Sequence, residues 1–168
     1  MDEPELRDAG RDDAAMIAAW LNRPEINRYL SQNLRHGGMT ALLVGVGLGR
    51  PDQHWMLFGP PSGPPCGLIA LDSIEREDGH ANVWFVLGDP GLAGRGLTSR
   101  ALLRFCRENP AGLHVLTAWA VDANRASLRC MAKAGFETVG RVPGAASIGG
   151  ARHDRVILAR TLETACRP

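Results

Sequence analysis

Apolar residues recur along this chain in two rhythms, one helical and one of strand length. Behind Asp12 or Asp13, either of which suits an N-cap, Met16, Ile17, Ala19, Trp20 and Leu21 share one face of a helix. Pro24 interrupts, and Pro24 to Leu34 reads as a second short helix carrying Ile26, Tyr29 and Leu30. Thr40 to Gly47 is apolar and fits helix or strand; the double glycine before it favours a helix start. His54 to Phe58 and Cys66 to Leu71 are strand-length runs on either side of a Gly/Pro-rich turn at 59–65. Glu75 to Gly79 is a polar hairpin loop before a further strand, Ala81 to Leu87.

The second half alternates more regularly. An amphipathic helix opens at Gly96 and ends near Arg107, ahead of Asn109-Pro110. A strand at Leu113 to Val121, a helix at Asn124 to Ala134 and a strand at Phe136 to Arg141 follow. Pro143 to Gly150 reads as a small-residue loop before a last strand, Asp154 to Thr161, and Glu5 to Arg7 suits an edge strand. Helices come first, then strands, then alternation. That order predicts an α+β fold, a mixed and mostly antiparallel sheet with helices on both faces. With no repeat, low-complexity tract or linker, residues 1–168 read as one domain.

Composition changes this picture little. A formal net charge of +1 gives no global field for nucleic acid or an anionic membrane surface. Cys66, Cys106, Cys130 and Cys166 are scattered, without a paired-cysteine motif, which argues against a zinc site and a disulfide framework. The acidic start (Asp2, Glu3, Glu5) is unlike a signal peptide, and no apolar run reaches the ~20 residues of a membrane span. The expectation is a cytoplasmic protein that engages neither nucleic acid nor membrane and holds no metal.

Chemistry concentrates in Trp84 to Leu102. An apolar strand is broken by Gly88-Asp89-Pro90-Gly91, and Gly94-Arg95-Gly96 then opens a helix. A strand, a glycine turn and a helix start form an anion site, because unpaired N–H groups and the helix dipole face whatever docks there. The spacing is neither that of a P-loop nor that of a dinucleotide fingerprint. It resembles the acyl-CoA pyrophosphate loop of the GNAT superfamily of N-acetyltransferases, Gln/Arg-x-x-Gly-x-Gly/Ala, with Ala93, Gly96 and Thr98 at the three positions. Three more segments resemble that family in its order. They are Ala19 to Glu25 (a Trp-Leu-Asn-x-Pro-Glu element), Asn124-x-x-Ser127 with Lys133-Ala-Gly-Phe136, and Arg152-His153-Asp154; the first and last are similar to the RimJ/RimL-like branch. Each segment also has a plain structural reading, as a turn, a helix cap or a strand end.

The resemblance implies a GNAT-type sheet and an acyl transfer from acetyl-CoA, or another acyl-CoA, to an amine. It places the thioester beside Phe85, Val86 and Leu87, with a backbone N–H near Leu87 polarising the carbonyl. Ala93, Gly94, Arg95, Gly96, Leu97 and Thr98 would receive the pyrophosphate, Asn124 the pantetheine arm, and Lys133 the nucleotide end. The sequence departs from the family where the proton is handled. Met131 occupies the position of a frequent tyrosine acid, and Asn82 that of a frequent acidic residue. Ser127 is then the candidate acid, and Asp72, Glu75 and His80 are candidate bases.

The acceptor expected is a small-molecule amine, with a protein N-terminus as the alternative. Glu25 and Asp52 are candidates to line an acidic cleft for it, and Trp55 and Trp84 to wall it or to lie in the core. A non-catalytic acyl-CoA sensor and a longer acyl donor stay open as readings. The family's frequent homodimers find no self-complementary patch here.

Overall fold

The structure is a computed structural model that describes residues 3–31, 34 and 38–163. Asp2 and Cys166 therefore lie outside the described residues, as does part of the helix expected at Pro24 to Leu34.

Seven strands form one sheet in the order β1-β2-β3-β4-β5-β7-β6. They are β1 (Glu5–Asp8), β2 (His54–Gly59), β3 (Gly67–Glu75), β4 (His80–Leu87), β5 (Val115–Val121), β6 (Glu137–Ile148) and β7 (Ala151–Thr161). Every neighbouring pair is antiparallel except β4 and β5. On one face lie α1 (Ala14–Leu21) and α3 (Ala41–Leu48), with the short α2 (Pro24–Asn27) after α1; on the other lie α4 (Leu97–Glu108) and α5 (Arg125–Lys133). The α+β expectation holds.

Side-chain alternation assigns the two cores. Trp55 and Leu57 of β2, Leu68 and Ala70 of β3 and Val86 of β4 meet Ile17 and Leu21 of α1 and Val44 of α3. Ile69, Leu71, Val83, Leu116, Ala118 and Ala120 point the other way, onto Ala101, Leu102, Phe105 and Met131. Ile17 and Leu21 have no exposed surface, and such burial is worth about 1.5–3 kcal/mol per side chain. Ala19, expected on the apolar face of α1, is exposed instead. Among the described residues no helix is long and apolar enough to cross a membrane.

Local chemistry corrects several boundaries. Asp13 stands at the N-cap of α1 without capping it. Its carboxylate accepts from the Arg7 guanidinium (2.7 and 2.8 Å) and the Gly10 N–H (2.8 Å), closing a 3₁₀ turn at Arg11–Asp13 one step earlier. α2 stops at Asn27 because the Tyr29 and Leu30 N–H groups bond three residues back and tighten the turn. The ambiguous 40–47 run is a helix, started by Thr40, whose hydroxyl accepts from Leu43 N–H at 3.2 Å. The expected 143–150 loop is strand: β6 continues to Ile148, pairing Ala146 with His153, Ser147 with Arg152 and Ile148 with Ala151. Pro143 sits within a bulge, where no ladder N–H is needed. Gly149 and Gly150 make the turn alone, both at positive φ (57° and 82°), as a two-residue hairpin of this hand requires. Consequently β7 starts at Ala151 rather than Asp154.

Candidate active site

The parallel pair is where the sheet opens. His80, Ala81 and Asn82 pair with Val115, Leu116 and Thr117, and the pairing then stops, so β4 and β5 splay over their C-terminal halves. Gly79 C=O bonds toward β5 while Gly88 N–H bonds Cys66 C=O on the β3 side (2.7 Å). Backbone groups alternate along a strand, so those of Phe85 and Leu87 face the gap and lack a β5 partner. Both helices that follow these strands start beside this opening, and the N–H groups of their first turns have no intrahelical acceptor.

A cavity of about 810 Å³ occupies the splay. Its lining includes Val83, Phe85, Leu87 and Met131 from the α4/α5 side of the sheet and Asn82, Trp84, Trp119 and Val121 from the α1/α2 side. It therefore passes through the sheet, with one mouth toward each layer of helices.

On the α4/α5 side the glycine turn is built for close approach. Gly94 and Gly96 both hold positive φ (77° and 72°), and Gly96 is the N-cap of α4. Nothing lies within 4 Å of where a Cβ on Gly94 would sit. Ala93, Gly94, Gly96, Leu97 and Thr98 line the cavity, and Arg95 lines a shallower hollow beside it with Arg100 and Lys133. Lys133 borders both spaces, and Arg129 stands in the main one. Arg100 and Arg129 were not legible as site residues, although their i, i+4 spacing from Gly96 and to Lys133 puts them on the same helix faces. An exposed glycine loop, a helix start and four cations form a donor set that fits an acyl-CoA, whose phosphates need N–H donors and positive charge.

Asn124 caps α5, its Oδ1 accepting from Ser127 N–H at 3.2 Å. Both residues line the cavity, and the Ser127 hydroxyl makes no hydrogen bond to a described residue. Met131, one turn on, is buried and contributes an apolar wall. Cys130 also lines the cavity, and burial pushes its thiol up to about 12.

The three candidate bases separate. Asp72 lines the cavity beside a β3 bulge whose Ser73 holds φ 53°, and its carboxylate accepts from the Ser73 hydroxyl (3.1 Å) and from Asn82 Nδ2 (3.3 Å to each oxygen). Glu75 and His80 lie at the closed end of the splay, outside the lining. There the His80 Nε2 is 2.8 Å from the Thr117 hydroxyl and its Nδ1 is 3.6 Å from Glu75. Glu25, Tyr29 and Trp84 line the α1/α2 mouth, whereas Asp52 pairs with Arg50 and Trp55 packs edge-on against Trp84. His153 is held by Asp122 (3.1 Å), which Arg141 bridges to Asp154.

A splayed parallel pair with an exposed glycine turn at one mouth and a carboxylate at the other fits an acyl-CoA-dependent acyltransferase. A family model described as an acetyltransferase (GNAT) domain matches residues 5–137. The chain belongs to this family, and acyl-CoA is its co-substrate. Spermidine N-acetyltransferase from Vibrio cholerae, crystallised with CoA and spermine, superposes with a TM-score of 0.82 and 16% identity, over 96% of this chain and 97% of its own. RimL, a ribosomal α-N-protein acetyltransferase in complex with CoA, gives 0.77 and 16% over 98% and 97%. Ribosomal-protein-S5-alanine acetyltransferase from Vibrio fischeri gives 0.75 and 18% over 100% and 97%. At these identities the likeness is one of fold. No functionally curated protein matches the sequence directly.

Proposed function

We propose that this protein acetylates the primary amine of a small molecule, with the donor entering between α4 and α5 and the acceptor from the α1/α2 side. The observation that carries this is Asp72, a carboxylate on the acceptor half of a cavity whose other half holds the glycine turn. It makes no ion pair with a described residue. Acetyl-CoA brings a thioester carbonyl, already activated toward nitrogen.

The chain's part is placement and proton handling. The Leu87 N–H, freed by the splay, donates to the carbonyl oxygen as negative charge develops there. Asp72 takes the proton from the incoming ammonium, directly or through water, so that the nitrogen lone pair can attack. The N–C bond forms, the nitrogen sheds its second proton to water, and the C–S bond breaks. The leaving sulfur receives a proton from the Ser127 hydroxyl, which is replenished from solvent. Glu25 and Tyr29 bound the acceptor mouth, where an acidic side chain favours a cationic amine.

Structural likeness to RimL and to the ribosomal-protein acetyltransferase of Vibrio fischeri supports a second reading, acetylation of a protein N-terminus. The cytoplasm, where acyl-CoA is supplied, is the compartment either reading requires.

The test is free-thiol release from acetyl-CoA across an amine panel, for wild type and Asp72→Asn. The variant is expected to lose on the order of 100-fold or more in kcat/KM, the usual range for a positioned general base, while keeping its CoA affinity. Full turnover by Asp72→Asn would move the base elsewhere.

A further inference from the structure

Trp84 of β4 and Trp119 of β5 hold equivalent places on the two strands that part. The last pair of the parallel ladder is Asn82 with Thr117, and two residues further on that register would set Trp84 beside Trp119. Both side chains are half-buried, and both line the cavity on its α1/α2 side. In a closed sheet, strands about 4.8 Å apart would press two such side chains together. Here the strands have parted and no ring contact joins the indoles, which leaves a slot between them. Tyr29 lines the same mouth from the helix layer, with Ile26 and Leu30.

Groups outside the cavity decide what these rings can hold. The Arg155 guanidinium lies 4.2 Å from the Trp119 centroid and is no part of the lining, so it covers the ring face turned away from the cavity. The Arg28 guanidinium lies 4.7 Å from the Tyr29 centroid, likewise outside the lining. Buried Trp55 holds Trp84 at 84°, with 5.3 Å between centroids. A ring with a cation on one face is a poor host for a second on the other, because both draw on one quadrupole and repel each other. The cavity-side faces therefore suit a neutral, flat, apolar group, which covers indole surface and stacks on it. One anionic site stands next to the slot: Asn82, on the same face as Trp84, holds the Asp72 carboxylate at 3.3 Å. Glu25, the other acid of the lining, is exposed in the first turn of α2, where water screens it.

We infer that the slot takes the body of the acceptor, and that the acceptor is a monoamine on a short chain ending in an aromatic ring, an arylalkylamine. Its ring lies between Trp84 and Trp119 while its amine reaches Asp72. A polyamine would bring further cations to rings already backed by arginine. This rests on the acyl-transfer reading above.

The experiment measures thiol release from acetyl-CoA by the full chain with phenethylamine, tryptamine, ethylamine and spermidine. For the better arylalkylamine, kcat/KM is expected to exceed that for ethylamine by about 10- to 100-fold, the gain that burying an aromatic group brings, and to exceed that for spermidine. Trp119→Leu, checked for folding by its CoA binding, brings the ratio toward one, chiefly through KM, and Trp119→Phe keeps part of it. A ratio near one in wild type, a preference for spermidine, or an unchanged ratio in folded Trp119→Leu overturns the slot assignment alone. No thiol release with any of the amines overturns the acyl-transfer reading, and the slot with it.

Discussion

A Cβ on Gly88 would lie 2.2 Å from Cδ2 of Trp20, inside the ring's own contact distance. Gly88 ends β4, and its carbonyl accepts from the Arg23 guanidinium. This one residue thus fixes the strand end, the glycine turn that follows and the α1–α2 corner together. Gly88→Ala must displace either the indole or the turn, and overpacking of this kind costs about 1–3 kcal/mol. The expected result is a lower urea midpoint with weakened CoA binding, because Leu87 is the next residue back; an unchanged midpoint would mean that Trp20 swings away freely. Ser127 and Asp72 were readable as candidates because their residue types can move protons. Arg129 was not, since nothing in the sequence says that an α5 arginine will stand in the cavity.

Among the elements, the β6–β7 hairpin is held at its bulge by Asp154. The Gly144 N–H, first, and the Arg141 guanidinium hold its carboxyl below the ordinary 3.8. A folded pKa that is depressed contributes stability above the unfolded value, and that contribution is lost as pH falls through the folded one. Wild type and Asp154→Asn should therefore differ in urea midpoint at pH 7 and converge below about pH 4; a constant gap from pH 7 to pH 3 would show that the Asp154 charge is not what holds the bulge. This hairpin is also where the sequence misled. Pro143-Gly144-Ala145-Ala146 has the composition of a loop, yet bulges absorb the proline and small side chains let the strand continue. Periodicity located the main strands and helices because each buries one face. It missed segments whose pairing is decided by a partner strand, as in β6, or by a tightened turn, as at the end of α2.

At the scale of the whole molecule, the fold performs one operation: it pulls two parallel strands apart and lets a helix start at each freed end. The glycine motif was legible because an N–H cradle needs glycine at Gly94 and Gly96 whatever surrounds it. The acceptor side was not, since it is assembled from α2 and the residues after it, β3, β4 and β5 and has no contiguous signature. Acyl transfer at this site requires acyl-CoA to occupy the splay, so the most direct test is a calorimetric titration of CoA into wild type and Gly96→Glu. That substitution puts a side chain at positive φ and a negative charge at the helix start where phosphate would sit. Saturable one-to-one binding to wild type, abolished in a variant that remains folded, is the predicted result. No binding to wild type, or equal affinity in the folded variant, would contradict the account.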